Sequence, residues 1–326
     1  MQLYSTMLDT LTLIRMDRSR GRMARFWFGL REAKQFLRRE RYDLMVAQDV
    51  EHALLAWYLS KRNGVPFQMQ IHTDIFSPYF WKGGLLNKLR VLCAVFLVPR
   101  ASCIRVVSRR IQNSLEARYP DKHLAISVLP IIPAIITDDS AKLASPLKTK
   151  DFTVLMVARL EKEKNIPLAL RVFARFLKEQ PHARMHITGS GSQEAALKCI
   201  CTALGIEHKV VFQKTFSTQE YQTADVLLLT SNYEGYALVA LEALHSGLPV
   251  IMTDVGVAGE VVQNCVNGLV VPVKDEERLL QALIEFAGDS VLQERLRQGA
   301  KATPLPYASP EEYRDKLVTS WKTCTN

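Results

Sequence analysis

The stretch Ala224-Asp225-Val226-Leu227-Leu228-Leu229-Thr230-Ser231-Asn232-Tyr233-Glu234-Gly235-Tyr236-Ala237-Leu238-Val239-Ala240-Leu241-Glu242-Ala243 decides the fold. Ala224 to Thr230 is a short apolar run and reads as a buried strand. Ser231 to Gly235 is a polar turn. From about Tyr236 the apolar residues recur at helical spacing, and Gly247 and Pro249 stop that helix. Val250-Ile251-Met252 then opens a second apolar strand. Strand, turn, helix and strand make one βαβ unit of a parallel sheet. Ligands of such sheets gather at the carboxyl ends of the strands, where Glu234 falls.

Two carboxylates bracket the start of this helix. Its first amides, near Ala237, Leu238 and Val239, and the positive end of its dipole suit a phosphate. Glu242 lies about 7.5 Å further along the axis, a reach from a diphosphate to the ribose of the same nucleotide. Glu234 precedes the helix and can accept from two neighbouring hydroxyls of a sugar on the other side of the diphosphate. The spacing alone is equally met by two solvated acids.

A second unit lies upstream. Phe152 to Val157 reads as a strand, Ala158-Arg159-Leu160-Glu161-Lys162-Glu163-Lys164-Asn165 as a turn, and Ile166 to Leu177 as a helix. Arg159 and Lys164 can clamp a diphosphate from the side opposite the helix terminus and neutralise charge that develops on it. A solvated turn carries the same residue types. Met185 to Gly191 is a strand ending in Gly189-Ser190-Gly191, followed by a helix from about Gln193. Glycines at that end permit close backbone approach. Val210 to Lys214 reads as the next strand.

The segment from Glu234 to Glu242 resembles the E-x7-E signature of the family-4 retaining glycosyltransferases. The likeness continues through Gly247-Leu248-Pro249-Val250, Thr253-Asp254-Val255-Gly256, Glu260-Val261-Val262 and Asn267-Gly268-Leu269-Val270-Val271-Pro272. Ala158 to Asn165 is similar to the family's G-R-L-x-x-x-K-G element, with Ala158 and Asn165 in place of its glycines. Ala237 likewise replaces a family glycine. The resemblance implies an α/β chain of the GT-B class, two Rossmann-like domains with parallel sheets. It implies that Arg159, Lys164, Gly189, Gly191, Ala237, Leu238, Val239 and Glu242 bind a nucleotide-diphosphate sugar. Glu234 and His72 would then act at the donor sugar. His72 is named because Gln70-Ile71-His72-Thr73-Asp74 is similar to the family's strand-end histidine.

The first part of the chain also reads α/β. Tyr42 to Ala47, Phe67 to Ile71, Cys103 to Val107 and Ala125 to Leu129 are strand-like, and Arg25 to Arg39 and Ala53 to Lys61 helical. Ser108 matches a strand-end serine of the family. Pro130-Ile131-Ile132-Pro133 stands where the family has Pro-Asn-Gly. The family opens with a strand and a Gly-Gly loop, yet no glycine precedes Gly21, and the first strand-like run is Leu11 to Ile14. This predicts an incomplete N-terminal domain, short of one β-α-β unit of roughly 60 to 70 residues. The missing piece would hold a central strand of a 3-2-1-4-5 sheet. The expected organisation is an acceptor-side domain over 1–145, a nucleotide-sugar domain over 146–306, and a C-terminal helix over 307–326 that returns to the first domain. Asp138 to Lys150 is the expected linker.

Composition bounds the rest. The 326 residues carry a net charge of +9, with apolar and charged fractions ordinary for a globular chain. Arg15 to Arg41 holds ten Lys/Arg against three Asp/Glu. Within it Phe26, Leu30, Ala33 and Leu37 form a helical stripe, widened by Trp27, Phe28 and Phe36. Such a basic amphipathic helix suits an anionic membrane surface, or equally a core-facing helix with a solvated basic face. Charge alone is no basis for nucleic-acid binding. The cysteines, Cys93, Cys103, Cys199, Cys201, Cys265 and Cys324, form no C-x-x-C pair and read as reduced thiols of a cytoplasmic protein. No cofactor and no metal is expected.

The function implied is transfer of a sugar, with retention, to a cell-envelope glycan or a lipid-linked acceptor by a cytoplasmic protein, peripheral on the inner face of the plasma membrane. Two alternatives stand beside it: a GT-B sugar-nucleotide epimerase, and a catalytically inactive nucleotide-sugar-binding fragment.

Overall fold

Among the described residues, ten parallel strands in two sheets carry the fold. The computed structural model describes residues 11–14, 21–133 and 151–325. Its contacts divide the chain into two units, Met1–Ile132 with Tyr307–Asn326, and Pro133–Pro306. The expected linker lies wholly outside the described residues.

The second unit holds β5 (Thr153–Val157), β6 (Arg184–Thr188), β7 (Val210–Gln213), β8 (Val226–Leu229), β9 (Val250–Thr253) and β10 (Gly268–Val271). Their order across the sheet is β10-β9-β8-β5-β6-β7, all parallel. Read from the other edge this is 3-2-1-4-5-6, the doubly wound order of dinucleotide-binding domains. The order reverses between β5 and β8, so the loops after those two strands part to opposite faces and leave a crevice. Strands β8 and β9 are buried along their whole length, as expected for a sheet covered on both faces. Val154, Met156, Leu168, Val172, Phe173 and Phe176 join Leu279, Leu283 and Phe286 in one apolar core.

The first unit holds β1 (Met45–Gln48), β2 (Phe67–Ile71), β3 (Cys103–Val106) and β4 (Ile126–Val128), ordered β1-β2-β3-β4 and parallel. The order runs one way, and no reversal occurs among the described strands. Leu11 to Ile14, read as a strand from its apolar β-branched content, is irregular. It pairs with no described strand, and Thr12 instead meets the Tyr42 hydroxyl at 2.9 Å.

The helix Arg22–Arg39 turns its stripe inward. Phe26, Leu30, Ala33 and Leu37 pack against Met45, Leu55, Tyr58 and Leu59. Arg15 to Arg20 of the basic stretch lie outside the described residues. The C-terminal helix Pro310–Lys322 is fastened to the first unit through polar contacts. Gln68 Nε2 donates to the Ser320 carbonyl at 3.1 Å, and the Tyr307 hydroxyl to the Pro130 carbonyl at 2.8 Å. Beside them Cys103 and Cys324 form a disulfide, their Cα atoms 5.2 Å apart and 221 residues apart in sequence. This corrects the reading of all six cysteines as reduced thiols. The fold brings a strand and the terminal helix together, which spacing along the chain does not reveal. The other four are free.

Candidate functional site

Side-chain and backbone hydrogen bonds stitch together the loops at the carboxyl ends of β5, β8 and β9. Thr230 Oγ1 donates to the carbonyls of Lys164 at 2.9 Å and Asn165 at 3.1 Å. The Asn232 amide donates to the Glu163 carbonyl at 2.8 Å. Thr253 Oγ1 donates to the Ser231 carbonyl at 2.7 Å. Asn165 takes a left-handed backbone, φ 48°, which asparagine tolerates. That turn aims Lys164 across the crevice.

The result is an ion pair between residues 70 apart in sequence. Lys164 Nζ lies 2.5 Å from Glu234 Oε1, and Ser231 Oγ donates to the same oxygen at 2.7 Å. Both side chains are largely buried, 17% and 13% exposed. Arg159 differs: its side chain is 71% exposed and pairs with Glu163 at 2.7 Å. Of the two cations the sequence singles out, one lines the crevice and the other stands in solvent.

The helix Leu238–His245 begins at Ala237, whose φ of 67° and ψ of 63° are left-handed, and no side chain caps it. Left-handed backbone costs a residue with a Cβ roughly 1–2 kcal/mol. Gly256 lies close by. A Cβ there would stand 2.9 Å from Glu234 Cβ and 3.0 Å from the Tyr236 carbonyl oxygen. Glycine is thus what lets the loop after β9 close over Glu234. At the neighbouring strand end a Cβ on Gly189 would fall 2.0 Å from the Ala158 carbonyl oxygen, and one on Gly191 2.4 Å from that of Leu160. These glycines let the loop after β6 pack on the turn that carries Arg159. Ala158 N to Thr188 O and Leu160 N to Ser190 O, both 3.0 Å, fix the contact.

Glu242 lies on the helix one face from Tyr221, whose hydroxyl donates to Glu242 Oε2 at 3.1 Å. Burial, and then the charge of Glu242, push the Tyr221 phenol far above its ordinary value, so it remains a donor. Sequence reasoning missed Tyr221. It sits on the short helix Gln219–Thr223, 21 residues before its partner, with no motif to mark it.

His72 belongs to the first unit, just past the end of β2. Both ring nitrogens are buried and hydrogen-bond to no described residue. Burial lowers its pKa most; Asp49 opposes this and Arg105 adds to it. The ring is therefore neutral at pH 7. Arg105, also missed, is 4% exposed. It donates to Gln70 Oε1, the Leu129 carbonyl and the Tyr313 hydroxyl, each at 3.1 Å. Ser108 caps the helix Arg109–Arg118 by accepting from the Ile111 amide at 3.4 Å. Among the described residues no group of three His, Cys, Asp or Glu side chains could hold a metal ion.

Comparison with known proteins follows the same division. The profile of the glycosyl transferases group 1 family matches residues 138–303. That of the glycosyl transferase 4-like domain matches residues 9–130. An uncharacterised glycosyltransferase of Methanocaldococcus jannaschii is 33% identical over 152 residues, 45% of this chain and 39% of that protein. The chain therefore spans less than half of that relative. The UDP-Gal:alpha-D-GlcNAc-diphosphoundecaprenol alpha-1,3-galactosyltransferase of Escherichia coli is 26% identical over 273 residues, 79% of this chain and 70% of that one. Anabaena HepE, solved with UDP and glucose, superposes with a TM-score of 0.71 at 19% identity, over 92% of this chain and 81% of its own. Such structural neighbours share the GT-B fold.

Proposed function

The chain belongs to the glycosyl transferases group 1 family, and from that premise we propose that it moves a sugar, with retention, from a nucleotide-diphosphate sugar to a glycan or lipid-linked acceptor. The observation that carries the reading is the Lys164–Glu234 pair at the switch point, beside an uncapped helix start. Without donor, each group neutralises the other in a half-closed crevice. A diphosphate at the Leu238 and Val239 amides exchanges partners with them. Lys164 turns to the phosphate oxygens, and Glu234, still held by Ser231, is freed to accept from sugar hydroxyls. Glu242, oriented by Tyr221, takes the ribose. Arg159 reaches the diphosphate from solvent, and for His72 of the other unit the role at the donor sugar rests on the family resemblance alone.

In the reaction the bond from the anomeric carbon to the diphosphate oxygen breaks. A bond to the acceptor oxygen forms on the same face, and the acceptor proton passes to the departing diphosphate. No protein nucleophile is assigned. Cations and helix dipole stabilise the charge that grows on the leaving group. The acceptor class draws on the Escherichia coli relative, whose name specifies a diphosphoundecaprenol-linked sugar. With a lipid-linked acceptor the protein would meet its substrate at a membrane surface, read here as the cytoplasmic face.

Titration calorimetry with UDP and GDP tests the site. Lys164→Ala should lower affinity for the preferred nucleotide by about 1.5–3 kcal/mol, the scale of a hydrogen bond to a charged group. Exposed Arg159→Ala should cost less. Unchanged affinity in Lys164→Ala would remove the clamp. Release of free nucleotide with no glycosylated product would favour hydrolysis over transfer.

A further inference from the structure

The helix Leu85–Leu97 has two apolar faces where a surface helix normally has one. Val91, Ala94 and Leu97 face inward and are buried. Leu85, Leu89, Leu92 and Phe96 recur at spacings of four, three and four on the opposite side, 76%, 51%, 57% and 38% exposed. Trp81, 41% exposed, and Leu86, 36%, extend the patch. This is a contiguous stripe rather than scattered single residues, and such stripes mark interaction sites.

The rim of the stripe is cationic. From Trp81 through Arg100 the sequence contains no Asp or Glu and four Lys or Arg, namely Lys82, Lys88, Arg90 and Arg100. Lys88 Nζ stands 5.8 Å from the Trp81 ring centre. The Arg100 guanidinium lies 3.9 Å from that of Phe96 and donates to the Phe96 carbonyl at 2.6 Å. Lys82 is exposed beside Trp81. Arg90 is paired with Glu51 at 2.8 Å on the flank. Cations at the edge, an indole among them and leucines at the centre match the layering of a bilayer interface: anionic headgroups outside, acyl chains within. Thirteen residues of helix are about 20 Å long, short of the ~30 Å hydrocarbon core, so the helix lies in the interface plane. No helix of the described residues is long and apolar enough to cross a membrane.

We infer that the outer face of the Trp81–Phe96 segment docks on an anionic lipid bilayer. This moves the membrane contact from the Arg22–Arg39 helix, whose apolar stripe is packed inward, to a helix with a second stripe facing out. The inference gives the lipid-linked acceptor of the proposed function a surface on which to be met. It stands on the geometry of the first unit, and its test involves no donor, acceptor or turnover.

The test is co-sedimentation of the 326-residue chain with vesicles of phosphatidylcholine alone or with phosphatidylglycerol at about a third of the lipid. Strong binding is expected only to the mixed vesicles, weakening at least tenfold from 50 to 500 mM salt. The double substitution Leu89→Glu, Leu92→Glu should reduce it at least tenfold, with the circular dichroism spectrum and melt unchanged. Lys82→Glu with Lys88→Glu, which leaves the leucines in place, should also reduce it several-fold. Binding by both variants equal to that of the native chain overturns the inference. So does failure of the native chain to bind mixed vesicles, for instance if the same leucines hold a stable dimer seen by size-exclusion chromatography.

Discussion

Glu234 balances Lys164 across the crevice. Under the proposed function it also offers oxygens to a sugar once phosphate takes the lysine, and the two acids divide the donor between them. Glu234→Gln removes the counter-charge on Lys164, so free UDP or GDP should bind as well as or a few-fold better than to the native chain. The same substitution should weaken the sugar-nucleotide. Glu242→Gln should weaken both, by about 1.5–3 kcal/mol for a lost hydrogen bond to a charged acceptor. Calorimetry on nucleotide and sugar-nucleotide side by side reads the split. Equal losses of free nucleotide in both variants would contradict it.

The helix Leu238–His245 shows how an element can be short and poorly capped and still be well placed. Its N-terminus rests on Ala237 in a left-handed conformation. The following strand and the glycine-dependent loop over Glu234 hold it there. Local strain of this kind persists where surrounding structure over-determines it. Ala237→Gly should relieve it, raising stability by about 1 kcal/mol after the extra chain entropy of glycine is counted. A Tm shift of a few degrees upward by calorimetry, with nucleotide affinity kept or improved, is the expected outcome. A destabilised variant would show that the Ala237 side chain packs favourably enough to outweigh its backbone.

The two units have separate architectures. The second has a complete doubly wound sheet with its own apolar core and its own crevice at the strand-order reversal. A unit with its own core can fold alone. A fragment of residues 133–306 should therefore unfold cooperatively and bind UDP or GDP within about threefold of the whole chain, ~0.7 kcal/mol on the affinity scale. Circular dichroism melts and calorimetry check both. A fragment that fails to fold would show that the second unit depends on the first.

Much of the second unit was legible because its signals are local. Apolar runs such as Val226 to Leu229, the helical spacing after Ile166 and the stops at Gly247 and Pro249 each specify an element within a few residues. Side-chain periodicity and turn chemistry act over that range. The family resemblance, carried by motifs equally local, singled out Lys164, Glu234 and Glu242. Leu11 to Ile14 marks the limit: three apolar residues and a β-branched threonine look like a strand, but a strand exists only where a neighbour pairs with it. Tertiary structure alone decided that Lys164 meets Glu234, that buried Tyr221 orients Glu242, and that Arg159 stands in solvent. It also joined Cys103 to Cys324, and left one face of Leu85–Leu97 uncovered while that of Arg22–Arg39 was buried. Each of these depends on which segment, tens to hundreds of residues away, fills the space beside a side chain. The amino-acid sequence determines that outcome only through the folded packing of the whole chain.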